Sequence, residues 1–383
     1  LVVINDDPFY EHWLRGMNNC GQVVYSSRLN QLMAETEIFL YDNGALVRIT
    51  DDNVRDDFPD INDSGIIVWT SFRDGTIDDP KIAVRKDGAT VYLGDGEDAK
   101  VNSLGHIAWK RANEKGCFGS GFDVLFYTGS LTTFEPKRLV KITNNDLSNQ
   151  QANLNDHDEI VWTQYNFCPD PWESRIMLYA DGVAAPVSGD DSGPQSPDIN
   201  NLGHVMWGEN TNGSGVRRAR LWTDGFREPV TLIDPGNHPH PNNLGDVTVN
   251  RMVPPDDTTW QVWLLPDAAG LTEPPIQVTS EPISTRCNAL NDWGEMLLDQ
   301  GVVLDTNVLV MRRIRTGEAD FDGHIDLRDF AAFQNCITGP GDFDGTEGGF
   351  DRLCDCRFLD IDHDRDVDAD DFALFQPAMD GPL

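Results

Sequence analysis

Positive charge is scarce in this chain. Its 383 residues carry 29 Lys and Arg against 64 Asp and Glu, a formal net charge of −35. No basic patch is present to neutralise phosphates, which disfavours nucleic acid and anionic membrane surfaces as partners. Long apolar runs are missing too. None approaches the ~20 residues that cross a bilayer, so no membrane span is expected. Compact catalytic signatures are also absent. No Gly-x-Ser-x-Gly elbow occurs, since the stretch Gly119-Ser120-Gly121-Phe122 does not fit, and no His-Glu-x-x-His zinc helix is found. The eight His are scattered; His106 and His204 occupy one slot of two repeats and read as turn or rim residues, while His238-Pro239-His240 in a Pro-rich loop is thin support for a metal. With 64 acidic side chains, carboxylate pairs arise by chance, and abundance singles out no acid–base pair. These absences lead to the expectation that the chain is not an enzyme.

What is present is repetition. The phrase Asn-(Asn/Asp/Ser)-x-Gly, followed by apolar residues and an aromatic one, starts at Asn18, Asn62, Asn102, Asn155, Asn200, Asn242 and Asn291, with Asp158 in the glycine place of the fourth copy. The aromatic residues are Tyr25, Trp69, Trp109, Trp162 and Trp207 in the first five copies. The Asn and Asp side chains are expected to bond their own backbone in a turn, Gly to supply a left-handed position, and the aromatic residue to fill the space between neighbouring units. A second phrase, such as Leu178-Tyr179-Ala180-Asp181-Gly182 or Leu221-Trp222-Thr223-Asp224-Gly225, is a strand ending in a tight turn, and a third strand follows it. A period in the forties with four strands per unit predicts a mainly β fold, a seven-bladed β-propeller over residues 1–316. The seventh unit has strand material around 295–298 and 308–311 but lacks its last strand, and Leu1-Val2-Val3-Ile4 is expected to supply it, removing an open sheet edge. The same strand could instead complete a neighbour's blade and give a polymer. The repeats resemble TolB-type and related extracellular propeller repeats, best at Phe58-Pro59-Asp60-Ile61-Asn62 and Ser196-Pro197-Asp198-Ile199-Asn200. That resemblance implies a fold and little about activity.

The last part of the chain reads differently. Carboxylates Asp360, Asp362, Asp364, Asp366, Asp368 and Asp371 stand at positions 1, 3, 5, 7, 9 and 12 of a 12-residue window. That is the oxygen-donor spacing of an EF-hand-type calcium loop. A second window holds Glu318, Asp320, Asp322, His324, Asp326 and Asp329. Positions 7, His324 and Asp366, would offer main-chain oxygen only. Each window runs into the same short helix, Phe330-Ala331-Ala332-Phe333-Gln334 and Phe372-Ala373-Leu374-Phe375-Gln376. This duplicated loop–helix unit resembles a dockerin module over residues 317–383. The resemblance implies two calcium sites and a protein partner, either a cohesin-like module or another copy of the chain. The sequence departs from the family pattern at Glu318 in position 1 and at Arg365 where Gly makes the sharp turn.

Seven cysteines are present: Cys20, Cys117, Cys168, Cys287, Cys336, Cys354 and Cys356. Cys354-Asp355-Cys356 is too tight for a zinc ribbon. Equivalent loops make a Cys117–Cys168 bridge the expectation, and Cys336 is expected to pair with Cys354 or Cys356. The chain begins without an initiator Met, which is expected of a secreted protein with its signal removed. Together these features lead to the expectation of a secreted, non-enzymatic, calcium-binding assembly protein in an extracellular or cell-surface structure, its propeller joined to a dockerin-like module through the short Arg315-Thr316-Gly317 segment. The alternative is a propeller that binds or degrades polysaccharide. It would show a cleft with converging carboxylates and exposed aromatics on the propeller's top face, with Trp172, Trp260 and Trp263 as candidates outside the repeated core slot.

Overall fold

The computed structural model describes residues 2–5, 12–28, 36–42, 44–73, 80–113, 121–168, 172–189, 193–210, 217–225, 228–253, 259–270, 274–280, 282–302, 305–311, 325–337, 356, 359–361 and 367–379. Over these residues the chain forms seven four-stranded antiparallel sheets, each built from four strands, in sequence order for the first six. We number them blades one to seven, with inner strands His12–Met17, Asp56–Ile61, Glu97–Val101, Ser148–Leu154, Gln195–Ile199, Asn237–Pro241 and Thr285–Leu290.

The second strand of each blade is buried on both faces over at least its first three residues. Ile67–Ser71 is wholly inaccessible, and Val23–Arg28 and Val205–Asn210 are buried except at their last residue. Sheets stacked face to face leave no solvent side, so these strands read as continuous apolar runs rather than as alternation. The fourth strands lie at the rim instead, with Val183–Pro186 exposed throughout. Seven apolar clusters each join the sheets of two neighbouring blades. Val24 and Ile38 of blade one meet Ile61 and Trp69 of blade two, for example, and Val161 and Ile176 of blade four meet Val205 and Trp207 of blade five. Trp69, Trp109, Trp162 and Trp207 are fully buried, in the wedge the sequence assigned to them.

Blade seven is completed by the N-terminus of the same chain. Val2 and Val3 pair antiparallel with Val310 and Leu309. Ile4 packs with Leu297, Val308 and Val310 and, across the seam, with Val23 and Tyr25. The closing strand thus acts within its own ring.

An eighth cluster draws only on residues near the C-terminus. Two helices, α1 (Leu327–Cys336) and α2 (Ala369–Ala378), bury Phe333 and Phe375 against each other with ring centroids 5.1 Å apart. Ile325, Leu359 and Val367 complete the core, and a Cys336–Cys356 disulfide closes it. This settles the pairing of Cys336 that the sequence left open. Cys168 is disulfide-bonded as expected, while Cys117, its expected partner, lies outside the described residues. No helix among the described residues is long and apolar enough to cross a membrane.

Candidate functional site

The repeated Asn sits at the end of each inner strand and has two tasks. Its Oδ1 accepts the backbone N–H four residues on, as from Ile66 at 2.9 Å and His204 at 3.0 Å. Its Nδ2 donates to the main-chain oxygen of the equivalent Asn in the next blade. These bonds run Asn18 to Asn62, Asn62 to Asn102, Asn102 to Asn155, Asn155 to Asn200, Asn200 to Asn242, Asn242 to Asn291, and Asn291 back to Asn18, at 2.8–3.3 Å. A closed belt of seven side chains therefore laces the ring at one mouth of its channel. The turn position three residues later is left-handed, with φ of 68–95° at the six glycines and 63° at Asp158, a conformation that Asp tolerates better than most non-glycine residues. The belt is structural, as the sequence implied, although its inter-blade half was not legible there.

The other end of the channel is open and chemically richer. In blades two to six the inner strand carries a bulge, and the residue four before the Asn takes a left-handed φ: Phe58, Asp98, Gln151, Ser196 and His238, at 46–58°. A bulge re-aims the side chains that follow it. Two residues before the Asn, the inner strands present Asp60, Lys100, Asn153, Asp198 and His240 to a cavity of about 540 Å³, with Gly16 and Ala289 at the same position of blades one and seven. Gly16 lets blade one approach closely here: a Cβ would lie 3.0 Å from Asp60 Oδ1 and 3.1 Å from the Ile61 nitrogen, tighter than most such contacts. Arg286, Asn288 and Asp299 add to the wall from blade seven.

These groups are coupled. Lys100 Nζ lies 3.4 Å from Asp60 Oδ1, and the Val101 N–H donates to Asp60 Oδ2 at 3.0 Å. Burial pushes the Asp60 carboxyl above the usual carboxylate range against the pull of Lys100, and the charge of Asp198 adds to the push. Asn153 donates to Asp198 Oδ1, and His240 Nδ1 lies 3.4 Å from Asp198 Oδ2. Asp299 is likewise raised by burial, with Arg286 opposing. Enclosure by the ring lowers His238 to about 4, helped by the charges of His240, Arg217 and Arg286, although its own surface opens onto the solvent of the channel. Cys287 also borders the cavity, but burial pushes its thiol up to about 12, so it offers no thiolate nucleophile.

An aromatic ledge stands beside the open mouth. Tyr165 and Phe167 stack with centroids 5.4 Å apart, and Trp172 lies 5.9 Å from Tyr165. Phe167 and Trp172 are 39% and 50% exposed, so two aromatic faces are open to solvent side by side. The Tyr165 hydroxyl donates to Gln151 Oε1 at 3.2 Å, tying the ledge to the channel wall. Of the three tryptophans singled out in the sequence, Trp172 is the open one. Trp260 carries the Arg286 guanidinium 5.3 Å from its ring centroid, and Trp263 carries that of Arg251 at 5.1 Å.

Of the residues assigned to calcium, Glu318, Asp320, Asp322, His324, Asp362, Asp364 and Asp366 lie outside the described residues. The rest are placed. Asp326 and Asp368 are the N-caps of α1 and α2, each in a reciprocal capping box with Asp329 and Asp371. Asp329 and Asp371 are fully buried, and Asp371 Oδ1 also accepts the Ile361 N–H. The two halves thus repeat one geometry.

His238-Pro239-His240 is the sixth copy of the frame that reads Phe58-Pro59-Asp60 and Ser196-Pro197-Asp198. Aligning Pro-His with Pro-Asp would have placed His240 beside the two aspartates. Among the described residues, His238 and His240 gather no group of three metal-binding side chains; the one such group is Glu37, Asp52 and Asp56, elsewhere in the ring.

No protein-family model matches the chain, and no curated protein matches it. Solved structures do. The β-propeller domain of the Trilobed protease from Pyrococcus furiosus, described as having an open velcro topology, aligns with a TM-score of 0.57 over 79% of this chain and 96% of that one at 9% identity. An oligogalacturonate lyase from Vibrio parahaemolyticus gives 0.57 over 79% and 89% at 8% identity. A Mycobacterium tuberculosis puromycin-hydrolyzing peptidase gives 0.57 over 80% and 53% at 11% identity, so the chain spans about half of that protein. An oligogalacturonate lyase in complex with manganese scores the same, at 10% identity. At these identities the likeness is one of fold, and it is to propellers carried by enzymes. The expectation of a non-enzymatic assembly protein is corrected on this finding. The channel groups arrive one per blade, some forty to fifty residues apart, so they form no compact motif that the sequence alone could have weighed.

Proposed function

We propose that the propeller is a glycan-cleaving enzyme with its active site in the bulged half of the channel. The observation that carries this reading is the convergence of Asp60 and Asp198 on one cavity beside the exposed Phe167–Trp172 ledge. Flat aromatic faces stack on sugar rings, and carboxylates in unlike environments divide acid and base roles. Asp60, raised by burial, is suited to protonate a glycosidic oxygen. Asp198, oriented by Asn153 and His240, is suited to activate water or attack the anomeric carbon. A net charge of −35 does not oppose a neutral glycan, and an acidic one would have to be met by the cations of the channel itself.

The test is reducing-end release from a panel of neutral and acidic polysaccharides by the full chain. Asp60→Asn and Asp198→Asn should each lower kcat by at least about a hundredfold. Full activity in either variant refutes the assignment. Lys100 and Arg286 support a second reading, β-elimination on a uronide, in which they neutralise the sugar carboxylate; the lyases among the structural relatives favour it. An unsaturated, ultraviolet-absorbing product separates it from hydrolysis.

We further propose that residues 317–383 are a separate dockerin-like module that holds two calcium ions. Glu318, Asp320, Asp322, Asp326 and Asp329 would serve the first, and Asp360, Asp362, Asp364, Asp368 and Asp371 the second, with main-chain oxygen from His324 and Asp366. The module would dock the enzyme to a protein partner such as a cohesin-like module. The duplicated capping boxes and the shared phenylalanine core support this reading. The disulfides support an oxidising, extracellular location.

A further inference from the structure

Where blade one hands over to blade two, the ring buries charge that its own groups do not satisfy. Glu37, on the third strand of blade one (Thr36–Asp42), is 1% exposed, and Asp56, first residue of the next inner strand, is 2% exposed. Asp52 lies in the crossover between them. One oxygen of each of these three side chains lies within 4.8 Å of the others. Glu37 Oε1 is held by Arg48 Nη2 at 2.9 Å and by the Asp52 N–H at 3.3 Å. Glu37 Oε2 and Asp56 Oδ1 are buried and have no hydrogen-bond partner.

The equivalent places in other blades show what is unusual. Six residues before the belt Asn, blades three to seven carry Gly96, Asn149, Pro194, Gly236 and Thr285, all uncharged. In blade four, Asn149 Oδ1 accepts the indole N–H of Trp162 at 3.0 Å. In blade two the corresponding indole, Trp69 Nε1, is buried without a partner, and the Asp56 carboxylate joins the acidic group instead. The counterpart of Glu37 in blade three, Asp123, is neutralised by Lys141 Nζ at 2.6 Å. Among the described residues, the junction of blades one and two is where two buried acids, each with an orphaned oxygen, come together in one group.

We propose that this junction is a binding site for one hard divalent cation of the calcium class, distinct from the C-terminal loops. All the donors are oxygen, as calcium and magnesium require. The hydroxyls of Thr50 and Ser71, which bond Asp56, stand ready to fill the shell. Arg48 is shared between Glu37 and the exposed Asp51, so a dication supplies the positive charge that the two buried acids otherwise lack. The ion would pin the blade-one strand to the crossover and so brace that junction of the ring.

The test is the number of calcium ions bound to the full chain, read by native mass spectrometry, with magnesium in a parallel titration. The Glu37→Gln, Asp56→Asn double variant should hold one ion fewer than the parent and should lose the calcium-dependent rise in the propeller's unfolding temperature. Asn at 56 is the residue blade four uses at that place, so the variant should fold. The exposed Asp52→Asn, which leaves the interior untouched, should weaken the same ion about tenfold. An Asp329→Asn, Asp371→Asn chain should keep this ion whatever happens at the C-terminus. An equal count in parent and double variant overturns the proposal, as does an ion lost only with Asp329 and Asp371.

Discussion

A single side chain in this protein often serves two blades. Asn200 accepts the N–H of Leu202 and His204 within its own turn and donates to Asn242 across the ring. Asn200→Ala leaves buried backbone groups unpaired on both sides of the joint and should cost about 3 kcal/mol in chemical denaturation, well above the effect of an exposed substitution. The turn half of this role could be read from Asn-x-x-Gly spacing; the lacing half could not, because its partner lies 42 residues away and is a backbone atom. His238 gives a pH signature. Its folded value of about 4 lies below the usual 6.5, so the neutral form is preferred in the ring. The stability it contributes is complete above pH 6.5 and is lost as pH falls towards about 4, where both states are protonated. Because the ring opens onto channel water, the effect is screened and small. His238→Asn, which tolerates the left-handed φ of 46°, should flatten that window in pH-dependent denaturation. Trp172, half exposed, bears on binding rather than on folding. Trp172→Ala should raise KM for an oligosaccharide and leave the unfolding temperature unchanged; a shifted unfolding temperature would place it in the core.

At the scale of strands, legibility followed environment. Second strands were plain because both faces are buried, and the short N-terminal strand was plain because blade seven lacked an edge. Removing residues 1–5 should expose the outer edge of Asp305–Met311, lower the propeller's unfolding midpoint by several degrees and promote association, visible by light scattering. A deletion without effect would mean that the pairing of Val2 and Val3 contributes nothing to closure. The bulges were not legible. Left-handed Phe58, Gln151 and Ser196 carry no local signal for positive φ, and the ring imposes it by requiring the next side chain but one to face the channel. The candidate site depends on that re-aiming, so it was hidden for the same reason, although the Pro-Asp and Pro-His repeats marked three of its members.

At the scale of the molecule, the acidity divides between two problems. The C-terminal helices bury Asp329 and Asp371 completely, and each carboxylate accepts from its own N-cap backbone, so the fold tolerates them even before any ion is considered. On the proposed calcium reading, loops this rich in carboxylates should nevertheless depend on the ion, because metal-free carboxylates repel one another. The Cys336–Cys356 bridge, closing a separation of 20 residues, restrains the unfolded segment by about 3 kcal/mol and should hold α1 near its partner when the metal is withdrawn. Chelation alone should therefore loosen the segment only partly, and chelation with a reductant should abolish its helical circular-dichroism signal. The propeller's main unfolding transition should persist in both, since its seven inter-blade clusters share no residue with the C-terminal core. Because the reductant also opens the bridge at Cys168 in the ring, the decisive arm is chelation alone: joint loss of the helical signal and the propeller transition there would show that the two cores unfold as one unit and that the C-terminal segment braces the ring.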